Sequence, residues 1–467
     1  MFRIEMRNDI YSLLGGTKVQ EQLDRSVVTT DIERSAIRKI CWRLVPFLAL
    51  MSLINFLDRT AISFAGPNGM NDDLGLTAAQ FGFAAGIFFV GYIILEIPSN
   101  LALQRVGARR WLARIMVTWG VVSLLFTWVS SIEGLYWLRF LLGVAEAGFF
   151  PGAILYLSTW VPATHRAKIL ALFYVAQPFS TVIGAPFASW LIDAHGLFGL
   201  EGWRVMFLGV SIPAIIVGFI TWFYLPDGPN DAKWLTSDEK KWLLNAVSRE
   251  EKAKSHSHSA SAVFDALRNG RVWLLSAVYF GLVYGLYSLG FFLPTIIAGF
   301  EAKFATKFDV MQKGLIIAIP YLGASIGLYL WSMDATRRGV RTWHIGIPAL
   351  VGALSIPVAL LMSSPEATIA VVTITAISIF AALPTFWSLP TRFLSGAGAA
   401  AGIALINSIG NVAGFSAPYI TGWVKDMTGN YEMPMFIVGG VMLMSAIIVM
   451  AITSKVQPVP STAASKA

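Results

Sequence analysis

The sequence predicts an all-α membrane protein of twelve transmembrane helices, arranged as two halves of six. Three observations carry this prediction. Of the 467 residues, 56% are hydrophobic and only 13% are charged, whereas soluble domains carry about 25% charged residues to cover their surface. The apolar residues form long blocks, among them Val117–Trp128, Leu208–Tyr224, Ile345–Met362 and Met435–Ile452. Runs of about 20 such residues suffice to cross a hydrocarbon core about 30 Å thick. Finally, one sizeable polar segment, Leu225–Gly270, interrupts the apolar blocks near the middle of the chain.

Taken in order, the N-terminus through Thr30 mixes acidic and basic residues without an apolar core. It is therefore not a cleavable signal peptide, and the first membrane helix is expected to be retained. Residues 1–40 read as a cytoplasmic segment. The first half (41–225) holds spans near 41–65, 79–103, 110–130, 134–159, 167–192 and 203–225. The linker (226–270) opens with Pro226-Asp227-Gly228-Pro229, a strong break. Thr236-x-x-Glu239 reads as a capping box for a short amphipathic helix, Asp238–Glu251. The Ser/His-rich stretch beyond it reads as flexible. The second half (271–453) holds spans near 271–299, 311–332, 343–362, 367–391, 398–423 and 434–453, and residues 454–467 form a tail.

Orientation follows from the basic residues. Arg105, Arg109, Arg110 and Arg114 cluster from the end of the second span to the start of the third, Arg166 and Lys168 at the start of the fifth, and Arg337, Arg338 and Arg341 after the eighth. The alternate loops are acidic or mixed, as at Asn71-Asp72-Asp73 and Glu366. Both termini are expected in the cytoplasm of a cell whose plasma (inner) membrane the chain spans. These loops also account for the net charge of +8. No aromatic platform or soluble domain supports binding to nucleic acid. Cys41 is the single cysteine and forms no internal disulfide. The histidines show no metal-ligand spacing, so no metal or cofactor is expected.

The halves look related. Arg105-x-Gly-x-Arg109-Arg110 follows the second helix of the first half, and Asp334-x-x-Arg337-Arg338-Gly339-x-Arg341 follows that of the second. In the fifth helices, Ala185-Pro186 with Trp190 and Asp193 matches Ala417-Pro418 with Trp423 and Asp426. Paired halves with a site between them at mid-membrane are how secondary transporters are built.

A few ionisable residues remain inside the apolar spans. A charge at the bilayer centre costs about 2.5–3.5 kcal/mol on insertion scales, so it should face a cavity or a partner. Asp58-Arg59 lies past the middle of the first span, and Arg139 and Glu146 lie seven residues apart in the fourth. Seven residues is nearly two turns, which puts both on one helix face. An organic anion needs a cation to offset its desolvation, and arginine offers a carboxylate a bidentate fork. Proton coupling needs an acid that can both hold and release a proton, and burial beside an arginine supplies the two opposing influences. Arg139/Glu146 and Asp58/Arg59 each offer such a pair; buried structural ion pairing is the alternative. Glu96 reads either as a clamp to the Arg105–Arg110 loop or as a binding residue. Tyr92, Gln177, Tyr284, Tyr287, Asn407 and Asn411 are further polar residues in the spans. Asn407 and Asn411 share one face, where their amides suit hydroxyls or carboxylates, or act as interhelical glue. Trp387 reads as packing or an interface anchor. No Walker A sequence and no Ser/His/Asp arrangement is present, which argues against a primary pump or a hydrolase.

The chain resembles the anion:cation symporters of the major facilitator superfamily, closest to the tartrate and phthalate permease-like branch, over about Arg43 to Met450. The residues carrying this resemblance are Asn55-Phe56-Leu57-Asp58-Arg59, Leu95-Glu96-Ile97-Pro98-Ser99-Asn100, Leu138-Arg139-Phe140 through Glu146-Ala147-Gly148-Phe149-Phe150-Pro151-Gly152, Phe223-Tyr224-Leu225-Pro226-Asp227 leading to Ala232-Lys233-Trp234-Leu235, Phe386-Trp387-Ser388-Leu389-Pro390, and Gly402-Ile403-Ala404 with Asn407-Ser408-Ile409-Gly410-Asn411. The resemblance implies the major facilitator fold and proton-driven import of a small organic carboxylate by alternating access, with protons as the coupling ion. It implies that Asp58 and Glu146 exchange protons, and that Arg59, Arg139, Tyr92, Gln177 and Asn407 serve the substrate or its coupling. Tyr284 and Asn411 join the substrate candidates from their place in the spans. The family's usual Gly and Asp in the loop after the second helix are replaced by Asn100 and Gln104. Gating is then expected to draw on Glu96 with Arg105, Arg109 and Arg110. A monomer in lipid is expected. An uncoupled facilitator or exchanger, and a substrate sensor that does not transport, are the competing readings.

Overall fold

The computed structural model describes residues 31–254, 268–390 and 397–453. The Ser/His-rich part of the linker, the N-terminal 30 residues and the tail lie outside the described residues. Among the described residues, twelve helices are long and apolar enough to cross a membrane. We number them α1 (Asp31–Asn68), α2 (Ala78–Val106), α3 (Ala108–Trp128), α4 (Ile132–Trp160), α5 (Ala163–Asp193) and α6 (Gly202–Tyr224). The second set is α7 (Gly270–Ala298), α8 (Val310–Arg338), α9 (Trp343–Leu360), α10 (Pro365–Phe386), α11 (Ala397–Thr428) and α12 (Glu432–Thr453). Large apolar side chains such as Trp137, Phe219, Ile326 and Leu354 stand exposed on the outside of the bundle, where lipid rather than water would meet them.

Two elements differ from the sequence expectation. The first helix begins ten residues early, at Asp31. The fourth span is not one helix: it stops at Glu146 and restarts at Phe149. Gly148 makes the break with φ 85°, a conformation that favours glycine, and Pro151 sits in the first turn of the restarted helix, where a missing N–H does no harm. A side chain on Gly148 would also collide with Ser99 Oγ on α2.

The relatedness of the halves is visible in three dimensions. Both α2 and α8 open with a capping box, Thr77/Gln80 and Asp309/Gln312, and both end at a positive-φ glycine, Gly107 and Gly339. Across the halves α2 packs on α11 and α5 on α8, with α1 against α7. At these contacts backbones meet directly. A Cβ on Gly82 of α2 would lie 2.2 Å from the Pro418 carbonyl of α11, and one on Gly314 of α8 would lie 2.8 Å from that of Ala185 on α5. Small residues permit this approach. Asp426, at the end of α11, accepts hydrogen bonds from the Ala78 and Ala79 amides at the start of α2. The bundle is thus sealed where α2 and α8 begin, opposite the basic loops.

The linker opens as a structured part of the first half. The capping box forms as the sequence predicts, with Thr236 N donating to Glu239 Oε2 at 2.8 Å and Glu239 N to Thr236 Oγ1 at 3.3 Å. The helix it starts runs Ser237–Lys254. Glu239 also receives Ser35 and Lys39 from the start of α1, at 2.7 and 2.8 Å. Burial opposes its charge, but the hydrogen bonds from Lys39, Thr236 and Ser35 prevail and hold its carboxyl down at about 2. Tyr156 donates to the Pro226 carbonyl and Trp160 stacks on Trp234. These contacts fasten the linker to α1 and α4.

Candidate functional site

A cavity of about 590 Å³ lies between the halves, from mid-bundle toward the basic-loop end. It is lined from α1, α2, α4, α5, α7, α10 and α11. Of the residues singled out from the sequence, Arg59, Tyr92, Glu96, Gln177, Asn407 and Asn411 line it. Arg59 and Glu96 are the charged residues of that lining among the described residues. Arg59 stands over the rings of Phe88 and Tyr92, at 4.9 and 5.2 Å from their centroids.

The pairing inside the bundle differs from the one read from spacing. Glu146 pairs with Arg59 rather than Arg139: Arg59 Nη2 and Nε donate to Glu146 Oε2 at 2.8 and 3.3 Å, and Asn55 Nδ2 adds a third bond at 2.7 Å. Glu146 is completely buried, and its Oε1 has no hydrogen-bond partner among the described residues. Arg139 is equally buried but donates to backbone: Nε to Ala84 O, Nη2 to Ala85 O, and both Nη atoms to Arg59 O at 3.4–3.5 Å. It ties α4 to α2 and α1 behind the cavity and does not line it. The physical reason is reach. The break at Gly148 leaves Glu146 at a helix end beside α1, while Arg139 lies nearly two turns back, against the close α2 backbone.

Asp58 turns away from the cavity. One oxygen accepts a short hydrogen bond from Ser123 of α3, and the other has no partner among the described residues, although the residue is 1% exposed. No ion pair joins it to Arg59, since neighbours on a helix diverge by about 100°.

Tyr284 also falls outside the lining. Gly281 and Gly285 press their face of α7 onto Ser445 and Met442 of α12, and Tyr284 is buried away from the cavity, its hydroxyl without a hydrogen-bond partner among the described residues. Tyr287, Val283 and Tyr279, at four-residue spacing, form the cavity face instead. Tyr287 Oη accepts from Arg59 Nη1 at 3.4 Å. Trp387, read as packing, lines the cavity beside Tyr279.

The expected gate does not form among the basic residues. Glu96 engages neither Arg105, Arg109 nor Arg110; it accepts from Asn407 Nδ2 at 2.8 Å and Asn411 Nδ2 at 3.3 Å, across the halves. Arg109 binds Asp227 within its own half, through its side chain at 3.2 Å and its backbone N–H at 3.1 Å. Arg105 and Arg110 are exposed and form no ion pair among the described residues. The carboxylate of Asp227 sits against the Gly107 turn and claims the arginine first.

Comparison with known proteins agrees with this architecture. The family model described as Major Facilitator Superfamily matches residues 48–418. A protein of Agrobacterium vitis named "Putative tartrate transporter" is 47% identical over 423 residues, covering 90% of this chain and 92% of that protein. The "Quinolone resistance transporter" of Acinetobacter baumannii is 36% identical over 427 residues, covering 91% of this chain and 97% of that protein. Among solved structures, the xylose transporter XylE from E. coli in a partially occluded inward open conformation superposes with a TM-score of 0.66, at 17% identity, over 88% of this chain and 98% of that one. Twelve membrane helices, a cavity between two related halves and the family match place the chain in the Major Facilitator Superfamily, as a multi-pass membrane transporter and not an enzyme.

Proposed function

We propose that the protein imports a small organic carboxylate together with protons, by alternating access of the central cavity. The observation that carries this reading is the charge set around that cavity. Asp58, Glu96 and Glu146 stand against Arg59 and Arg139, a net charge of −1 with all five ionised. A bound monoanion would take it to −2 in a low-dielectric site, which is costly. Two protons restore neutrality, and Asp58 and Glu146 each keep a buried oxygen without a hydrogen-bond partner among the described residues. Arg59 serves both partners: its Nε and Nη2 hold Glu146, while Nη1 faces Tyr287 beside the cavity. A substrate carboxylate at Arg59 therefore competes with Glu146 for the guanidinium, and protonating Glu146 frees it. Arg139 keeps the backbone around Arg59 in place. Gln177, Tyr92 and Asn407 supply polar contacts to the substrate.

With the basic loops on the cytoplasmic side of the inner membrane and both termini there too, the sealed end faces outward and the cavity faces inward. One chain surrounded by lipid makes the transport unit. The test is uptake of a panel of labelled carboxylates into proteoliposomes, with and without an inward proton gradient. Accumulation of one acid that collapses with a protonophore is the expected outcome. Equilibration without accumulation would leave a facilitator. No uptake of any acid by folded protein would overturn the organic-anion reading.

A further inference from the structure

We propose that Glu96 is a specificity-determining residue, which selects carboxylates bearing a hydroxyl about one helical turn from the carboxylate. This rests on the organic-anion reading above and adds to it what the far end of the substrate must look like.

The cavity is polarised. At one end Arg59 Nη1 is a donor, with the Tyr287 hydroxyl and the Tyr92 ring beside it. Glu96 follows Tyr92 on α2 by four residues, about 6 Å further toward the basic-loop end. There it accepts hydrogen bonds from the amide nitrogens of both Asn407 and Asn411. An ionised carboxylate only accepts, and an amide whose NH₂ is engaged presents its carbonyl oxygen. Glu96 thereby takes one of the two amide hydrogens of each asparagine, and its own ionised carboxylate is the acceptor and the negative charge that a substrate meets at that end of the cavity. Acceptors do not bind a carboxylate, but they do bind hydroxyls. The asparagines, which in sequence suited carboxylates and hydroxyls alike, sit here beside an anion on the opposite half that repels a carboxylate and accepts from a hydroxyl.

A substrate that offers only methylenes at that distance would desolvate these acceptors without replacing their hydrogen bonds. Sites built around polar groups reject such analogues strongly. The wild-type protein should favour a hydroxy acid over its deoxy counterpart by roughly 10- to 100-fold in kcat/KM.

The experiment compares 4-hydroxybutyrate with butyrate, and gluconate with hexanoate, as substrates of the wild type and of Glu96→Gln in proteoliposomes. Glutamine accepts through one oxygen and adds two donors, so one asparagine amide is released toward the cavity. The expected result is a hydroxyl preference in the wild type that falls by about 10-fold or more in Glu96→Gln, read as the ratio between the two members of a pair. A purely structural role would scale both members of a pair equally and would overturn the assignment. Should Glu96→Gln not fold, wild-type binding decides. Quenching of Trp387 fluorescence in the cavity, identified with a Trp387→Phe control, should report tighter binding of the hydroxylated member of a pair. Equal affinity for both members would overturn the proposal while leaving the carboxylate reading intact. Failure to take any carboxylate would instead overturn the underlying reading, and this proposal with it.

Discussion

Replacing Glu146 by glutamine is expected to abolish gradient-driven accumulation while leaving exchange of substrate across the membrane. Glutamine keeps the shape of the side chain and can still accept from Asn55 and Arg59, which hold Glu146 Oε2 in the wild type. It cannot take up a proton in exchange for the guanidinium. Each unit of pH gradient supplies about 1.36 kcal/mol per coupled proton, roughly a 10-fold accumulation. Without coupling, the internal to external ratio of a labelled substrate falls toward the value its own charge and gradient dictate. Paired accumulation and counterflow assays on one preparation separate the two properties. Full accumulation by Glu146→Gln would remove Glu146 from the coupling mechanism.

Arg59→Ala carries the other large effect. It removes a cation from the cavity lining and strands Glu146, which is fully buried and has its ion pair with Arg59. Breaking a buried pair from one side costs about 3–5 kcal/mol of stability, and loss of the charged contact to the substrate carboxylate should lower kcat/KM by roughly 10²–10³-fold. Arg59→Lys keeps the charge but cannot hold Glu146 with one pair of nitrogens while presenting another to the cavity, so an intermediate loss is expected. Initial uptake rates across a substrate series, with size-exclusion profiles to establish folding, measure both. Uptake by Arg59→Ala within about 3-fold of wild type would exclude Arg59 as the carboxylate anchor.

What was legible in the sequence follows from which physics is local. Helices that must span a bilayer announce themselves by length and hydropathy, so the twelve spans agree with the structure to within several residues at most ends. Charges that lipid would penalise stand out against that background, which is why Asp58, Arg59, Glu96, Arg139 and Glu146 were visible together. Their partnerships were not, because these depend on how separate helices dock. Spacing joined Arg139 to Glu146, whereas Arg59, 87 residues away in sequence, holds the glutamate. Glu96 meets Asn407 across 311 residues, a contact that exists only because α2 lies on α11. The break in α4 did leave a trace: Gly148 followed by Pro151 is the pattern of one helix ending and another starting. On α7, choosing Tyr287 over Tyr284 needed the glycine face at Gly281 and Gly285, which fixes the side that packs on α12.

The measurement that tests the account most directly is proton flux driven by substrate alone. Proteoliposomes holding a trapped pH-sensitive dye receive an inward gradient of a transported carboxylate, with no pH gradient and with the membrane potential clamped. Acidification of the interior that rises with substrate concentration, and disappears in Glu146→Gln, is the predicted result. Substrate entry without any change of internal pH would contradict proton coupling and return the buried carboxylates to a structural role.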